Sequence, residues 1–327
     1  MPAVRQIVSI LLNFIRCIIV DISTNLVKNG RYCYLCHTKT VFAMLKLQTP
    51  VDCGQSGIGI SYSDKILVLG SCFADNIGQK MQQAGFDVCV NPFGTLYNPM
   101  SLKQALSRLA GGKHFTADDC VAMGAGAGKV CSFWHHTSFA RDTEEEFLSN
   151  ANAVLDAAHN FYQNCNKVIL TLGTSFCYAH DGNVVSNCLK RPAAEFNRYM
   201  LEARETESVL TEIIGDTEKK FILTVSPIRH MADGAAANQL SKSSLIVAVA
   251  NACRQFPGKA EYFPAYEIVM DELRDYRFYA EDLVHPSAQA VNYIWERFTD
   301  FALPATEKEK LLAAEKLYKQ SLHRPIF

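Results

Sequence analysis

Residues 65–85 contain a short buried strand, a glycine turn and a helix in direct succession. The run KILVLG is apolar after its first residue, as expected of a strand inside a sheet. The next segment spaces its apolar residues along one helical face, and these are Ile77, Met81 and Ala84. Ser71 and Cys72 lie at the turn between the two elements. Acyl-transfer enzymes use this geometry, because the turn exposes a nucleophile and the helix N-terminus favours developing negative charge.

Strand and helix patterns alternate along the chain from about Ser63. The predicted strands are short, apolar and rich in Val, Ile and Phe, as strands of buried parallel sheets are. They cover Ile66–Leu69, Phe86–Val90, Lys167–Leu172, Lys220–Val225 and Ala260–Phe263. This alternation predicts a doubly wound α/β fold with a central, mostly parallel five-stranded sheet. The ligand site of such a fold lies at the carboxyl ends of the strands.

Amphipathic helices are predicted between these strands. Two of them begin with a capping box, formed by Ser101 with Gln104 and by Thr143 with Glu146. The predicted helices cover Ser101–Ala110, Thr143–Tyr162, Glu207–Ile214, Leu240–Phe256 and Ser287–Phe301. Charged residues continue in a helical pattern beyond them, which predicts a solvated C-terminal helical tail over residues 304–327.

Polar and turn-forming residues follow four of the five predicted strands. The four segments are Gly70–Cys72, Asn91–Thr95, Gly173–Ser175 and Ser226–His230. Glycine and proline can simply turn the chain after a strand. Four such ends at one edge of a sheet favour a shared site instead, in which Gly94 can present a backbone N–H to an oxyanion.

Asp282 and His285 lie three residues apart in a loop just before the last predicted helix of the domain. Any D-x-x-H can be a coincidence or a helix cap. At the far end of an α/β unit that begins with a nucleophile, however, the pair favours catalysis. The carboxylate can fix the tautomer of the imidazole and stabilise its protonated form. The imidazole can then take a proton from a serine or cysteine and return it to a leaving group.

Charge and cysteine content indicate which partners and which compartment to expect. The net charge is -1 and the chain has no long basic run, so nucleic acid is not expected as a partner, since phosphate contacts need clustered Lys and Arg. The 12 cysteines are scattered along 327 residues, unlike the dense cysteines of small secreted scaffolds. Free thiols in a reducing cytoplasm are the simpler interpretation.

The sequence predicts that residues 1–43 form a poorly ordered N-terminal extension. Met44 is an alternative start of the chain. Residues 7–20 are apolar but interrupted by polar side chains, and they are shorter than the ~20 residues of a membrane-spanning helix. No stable membrane span is therefore expected. Export or membrane anchoring through residues 5–20 stays open as an alternative to a cytoplasmic location.

Several segments resemble the GSCFA family, which is placed in the SGNH/GDSL hydrolase superfamily. They are GSCFA itself at 70–74, NPFGTLYNP at 91–99, LTLGTS at 170–175, SPIRH at 226–230 and YFPAYEIVMDELRDYRFYAEDLVHPS at 262–287. The resemblance covers about residues 44–303. It therefore predicts one GSCFA/SGNH-like catalytic domain between the N-terminal extension and the helical tail.

The resemblance implies a three-layer, flavodoxin-like fold and chemistry on ester bonds. Superfamily members use a serine nucleophile after the first strand and a late D-x-x-H, which Asp282 and His285 match. Two alternatives for the nucleophile stay open. Position in the motif favours Cys72, whereas residue type favours Ser71. A thiol beside His285 and near a helix N-terminus can ionise at neutral pH, which suits thioester intermediates.

The resemblance also implies a group that donates hydrogen bonds to the oxyanion. Gly94 resembles the glycine that supplies one such N–H. The third segment departs from the pattern, because it reads G-T-S-F where superfamily members have G-x-N-D. Thr174 and Ser175 can still donate there, and Asn98 from a different segment is a substitute.

Two hypotheses for function follow. The first is an esterase or acyltransferase that acts on a small-molecule or glycan ester and needs no metal or organic cofactor. The second is a non-catalytic domain on the same fold that binds a glycan or an acylated ligand. Arg229 and His230 can bind a carboxylate or phosphate of the substrate, or pair with a local acid. The acyl group and the oligomeric state cannot be deduced from the chain.

Overall fold

The computed structural model describes residues 48–124 and 127–322. The predicted N-terminal extension, including the apolar run at 7–20, lies outside the described residues. From Gln48 onward the chain forms one compact unit. No helix in the described ranges is long and apolar enough to cross a membrane.

Strands and helices alternate as the sequence predicts. The strands are β1 (Lys65–Gly70), β2 (Asp87–Val90), β3 (Val121–Ala122), β4 (Val130–Cys131), β5 (Lys167–Leu172), β6 (Phe176–His180), β7 (Asn183–Val185), β8 (Asn197–Met200), β9 (Lys220–Val225) and β10 (Ala260–Phe263). The helices are α1 (Cys72–Gln83), α2 (Pro99–Gly111), α3 (Glu144–Asn164), α4 (Ala203–Gly215), α5 (Gly234–Gln255), α6 (Ala265–Glu267), α7 (Ala288–Ala302) and α8 (Ala305–Leu322). A π-helical turn, Ile268–Leu273, continues α6.

The central sheet has five strands in the order β2–β1–β5–β9–β10, and every pair in it is parallel. All five predicted strands are confirmed, and so is the fold class. Numbered by their order along the chain, the strands follow 2-1-3-4-5, the flavodoxin-like order. The first and third of these strands, β1 and β5, are neighbours at the point where the order reverses, and a ligand site is expected at their carboxyl ends.

Side chains of β1 point alternately into two hydrophobic cores, one on each face of the sheet. Leu67 and Leu69 pack into a core shared with helices α2, α3, α4 and α5. Ile66 and Val68 pack into a second core shared with α1 and α7. Because successive side chains of a strand point to opposite faces, an unbroken apolar strand needs helices on both sides. The result is the three-layer architecture.

The N-terminus of α2 differs from the prediction. The N-cap is Asn98, whose side chain accepts a hydrogen bond from the Ser101 backbone N–H, so the predicted start at Ser101 is wrong. Pro99 occupies the first helical turn, where its fixed φ angle and missing N–H are tolerated. The predicted cap of α3 is confirmed, because the Thr143 side chain accepts from the Glu146 N–H.

A second, three-stranded antiparallel sheet, in the order β7–β6–β8, is inserted between β5 and α4. The sequence analysis does not predict it, because its strands are short and only partly buried. Phe176 and Tyr178 of β6 and Arg198 of β8 line the cavity described below. The insertion therefore supplies one wall of the candidate site.

Candidate active site

Ser71 and Cys72 lie at the carboxyl end of β1 but face different surroundings. Ser71 is fully buried, and its hydroxyl caps α1 by accepting a hydrogen bond from the Phe73 N–H at 3.3 Å. Cys72 is the first residue of α1 and is half-buried, with its side chain lining an open cavity. Gly70 is required at this turn, because a Cβ there would lie 2.2 Å from the Thr171 carbonyl oxygen.

The cavity has a volume of about 480 Å³ and lies above the carboxyl ends of β1, β5 and β9. This size is in the range of small-molecule sites. Its lining includes the predicted site residues Cys72, Asn98, Thr174, Arg229, His230 and His285. Ser71, Gly94, Ser175 and Asp282 do not line it. The structure therefore places one of the two nucleophile candidates in the same cavity as the histidine.

Asp282 orients His285 within one short loop. The Asp282 Oδ2 atom lies 2.6 Å from the His285 Nδ1 atom, and Oδ1 accepts the backbone N–H groups of Val284 and His285. These backbone N–H groups, together with the His285 ring, lower the pKa of Asp282 to about 2. The carboxylate stays ionised at neutral pH and fixes the ring so that Nε2 is free to exchange protons.

Tyr97 contacts the candidate nucleophile and is absent from the sequence analysis as a site residue. Its hydroxyl oxygen lies 3.5 Å from the Cys72 sulfur and 3.1 Å from the Thr95 hydroxyl. Burial, followed by the hydrogen bond to Cys72, raises the pKa of Tyr97 to about 12. The hydroxyl is therefore protonated and can donate to the sulfur. Its place inside NPFGTLYNP is the signal that could have identified it.

Asn98 presents an amide group to the cavity. Its Oδ1 atom accepts the Ser101 N–H at 2.9 Å, which fixes the orientation of the side-chain amide. The Nδ2 group has no hydrogen-bond partner among the described residues, and the residue is only 4% exposed. Asn98 thus offers a fixed N–H donor in the cavity that Cys72 also lines, and an oxyanion site requires such a donor.

The Gly94 N–H is used within its own turn. It donates to the Asn91 carbonyl at 2.7 Å. Gly94 has a φ of +78°, and a Cβ there would lie 2.3 Å from the His136 Cβ atom. The turn and this close packing account for a glycine at this position without an oxyanion contact.

The loop after β5, Gly173–Ser175, is hydrogen-bonded to Tyr97 on one side and to Ser241 on the other. The N–H groups of Gly173 and Thr174 both donate to the Tyr97 carbonyl, at 2.8 and 3.0 Å. The Thr174 hydroxyl lies 3.0 Å from the Ser241 hydroxyl, which also accepts the Ser175 N–H at 2.8 Å. Ser175 is fully buried, so Thr174 is the only one of the two predicted donors that lines the cavity.

Lys242 lies beneath the site and was missed by the sequence analysis. It is fully buried on α5, and its ammonium group donates to the carbonyl oxygens of Gly173 and Ser226 at 2.5 and 2.7 Å. These carbonyls follow β5 and β9, so one side chain joins two loops of the cavity. Burial lowers the pKa of Lys242 to about 7. A lone lysine among the buried positions of a helix is the only sequence signal.

His230 and Arg229 follow β9. The His230 N–H donates to the Asn238 side chain, and its buried Nε2 atom has no partner among the described residues. Burial, followed by the charge of Lys242, lowers the pKa of His230 to about 4, so the ring is neutral at pH 7. Arg229 donates through its backbone and its side chain to the carbonyls of Val284 and Leu283.

A comparison with known protein families identifies the family of the chain. A model of the GSCFA family matches residues 65–298, from β1 into α7. The chain belongs to the GSCFA family. No curated protein and no solved structure gives a significant match to this GSCFA protein. Within residues 48–124 and 127–322, no group of three or more His, Cys, Asp or Glu side chains could hold a metal ion.

Proposed function

We propose that this GSCFA protein is an SGNH-type esterase or acyltransferase that uses Cys72, His285 and Asp282. The single observation that supports this function is that Cys72 and His285 line one cavity while Asp282 holds the other ring nitrogen of His285. A nucleophile, a base and a group that orients the base are the parts that covalent acyl transfer needs.

In the first step, the Cys72 sulfur attacks the ester carbonyl while its proton passes to Nε2 of His285. A sulfur–carbon bond forms, and the carbonyl oxygen takes the negative charge. When the ester carbon–oxygen bond breaks, the imidazolium returns its proton to the leaving alcohol. The product is a thioester on Cys72 and a neutral His285.

The negatively charged oxygen needs hydrogen-bond donors. The Asn98 Nδ2 group supports this role through its position at the cavity and its free N–H groups. The backbone N–H of Cys72 is a second candidate, because it is among the first N–H groups of α1, which have no partner inside the helix.

The second step decides between hydrolysis and transfer. His285 removes a proton from water or from an acceptor alcohol, whose oxygen then attacks the thioester. The thiolate leaves and regains the proton from the imidazolium, which restores the free enzyme. The cavity is large enough for a small-molecule ester or for the esterified part of a glycan.

A binding domain without catalysis is the second candidate function. The observation that favours it is the use of the Gly94 and Thr174 N–H groups inside the fold. The resemblance implies an oxyanion donor at Gly94 and an Asn in the G-x-N-D segment, which reads G-T-S-F here. On this alternative, the cavity would hold a glycan or an acylated ligand without cleaving it.

Turnover of a simple aryl ester, such as p-nitrophenyl butyrate, separates the two functions. We expect activity that is lost in Cys72→Ala and in His285→Ala. His114→Ala is a matched control, because His114 also pairs with an aspartate, Asp156, at 2.7 Å but does not line the cavity. Absence of turnover in a folded protein that still binds acylated ligands would favour the binding domain.

A further inference from the structure

Arg229 carries a positive charge at the cavity without a carboxylate partner. It lines the same cavity as Cys72 and His285, and it also lines a smaller neighbouring cavity that includes Tyr279. Its guanidinium group donates to the Leu283 carbonyl at 3.2 Å and lies 5.5 Å from the centre of the Tyr279 ring. Among the described residues, no aspartate or glutamate lies within ion-pair distance of it. Guanidinium has five N–H donors, so most of them stay available to a ligand.

The other arginine of the cavity lining is matched by an aspartate. Arg198 pairs with Asp233 at 2.5 Å and stacks on the Phe176 ring, 3.8 Å from its centre. Asp282, which holds the His285 ring, does not line the cavity. His230 is neutral at pH 7, as its lowered pKa requires. Arg229 therefore leaves the lining with one unbalanced positive charge.

We propose, building on the ester chemistry above, that the substrate carries a carboxylate and that Arg229 binds it. The guanidinium fork matches the two oxygens of a carboxylate. The Leu283 carbonyl already holds the guanidinium in place, so little side-chain entropy is lost on binding. A monoanion matches the single unbalanced positive charge of the lining, whereas a dianion would leave one negative charge unpaired.

Alkylation of Cys72 tests the charge directly. Iodoacetate and iodoacetamide have the same leaving group and similar size but differ in charge. Peptide mapping gives the rate of alkylation of Cys72 by each reagent. The rate with iodoacetate divided by the rate with iodoacetamide should fall by about fivefold in Arg229→Gln. Arg229→Lys should keep most of the ratio, because it keeps the charge. Cys188, which is half-buried and does not line the cavity, is an internal reference that should not change.

Arg204→Gln is the matched control for net charge. Arg204 is exposed on α4 and has no ion-pair partner in the described part of the chain. This variant should leave the alkylation ratio at Cys72 unchanged. An equal ratio at Cys72 in the wild type and in Arg229→Gln would overturn the proposal.

A binding measurement separates this proposal from the ester chemistry itself. In Cys72→Ser, titration calorimetry should show monomethyl succinate binding at least about tenfold more tightly than neutral dimethyl succinate. Adding Arg229→Gln should abolish that preference, whereas Arg229→Lys should retain part of it. No preference for the anion, or a preference that survives Arg229→Gln, would overturn the carboxylate site. Neither readout requires turnover, so failure of the ester chemistry would appear only in the aryl ester assay.

Discussion

The Tyr97 hydroxyl lies 3.5 Å from the Cys72 sulfur. Because burial keeps the pKa of Tyr97 near 12, the hydroxyl holds its proton at neutral pH and can donate it to a thiolate. A hydrogen bond to a charged group contributes about 1.5–3 kcal/mol. The Tyr97 hydroxyl is therefore positioned to donate a hydrogen bond to the sulfur of the proposed nucleophile during attack.

Tyr97→Phe should slow alkylation of Cys72 by iodoacetamide at pH 7 by about tenfold, since the thiolate loses its donor. Tyr178→Phe is the matched control, because Tyr178 lines the same cavity and its hydroxyl has no hydrogen bond to a cysteine among the described residues. Equal rates in Tyr97→Phe and the wild type across pH would contradict this role.

Ser71→Ala and Cys72→Ala should have opposite effects on activity and stability. Ser71→Ala removes an N-cap, so we expect the free energy of unfolding to fall by about 1 kcal/mol while ester turnover persists. Cys72→Ala should leave α1 capped and the fold stable but abolish turnover. Denaturant unfolding and the aryl ester assay measure the two quantities. Loss of turnover in a stable Ser71→Ala protein would assign the nucleophile to Ser71.

Asn98→Asp should reduce kcat by roughly a hundredfold or more, because it replaces the proposed oxyanion donor with an oxygen. The cap of α2 survives, since an aspartate oxygen can still accept the Ser101 N–H. The free energy of unfolding should therefore hardly change. Asn98→Ser preserves a cap without adding charge and should lose activity to a similar extent. Full activity in both variants would exclude Asn98 as the donor.

Lys242 should make the stability of the protein depend on pH. Burial lowers its pKa to about 7, whereas lysine in an unfolded chain titrates near about 10.4. Between these values the unfolded chain binds a proton that the folded protein has released, so the free energy of unfolding rises with pH. Relative to Lys242→Met, the wild type should gain about 2–4 kcal/mol from pH 7 to pH 10.

Denaturant unfolding at several pH values measures this difference. Lys113→Met is the control, because Lys113 is exposed and its removal should not alter the pH dependence. Parallel curves for the wild type and Lys242→Met would show that Lys242 does not titrate in this range.

The central sheet could be predicted because each of its strands is a local apolar run. Lys167–Leu172, Lys220–Val225 and Ala260–Phe263 match the predicted bounds residue for residue. Parallel strands buried on both faces leave this signal in the sequence directly. The Asp282–His285 contact is also local, because the two residues lie only three positions apart in one loop.

The remaining features of the site depend on contacts between distant segments. The Lys242 ammonium group meets carbonyls that lie 69 and 16 residues away. The use of the Thr174 N–H by the Tyr97 carbonyl likewise depends on how two loops pack. The pattern of residue types along the chain does not show which N–H groups are already hydrogen-bonded inside the fold. The sequence alone therefore could not identify the group that donates to the oxyanion.

The most direct test of the account is active-site labelling of the purified protein followed by peptide mapping. One sample receives a limiting dose of iodoacetamide and the other a fluorophosphonate, with His285→Ala beside each. We predict that Cys72 is alkylated well ahead of the other cysteines and that this advantage disappears in His285→Ala. Labelling of Ser71 by the fluorophosphonate, or no residue above background with either reagent, would contradict a Cys72–His285 centre.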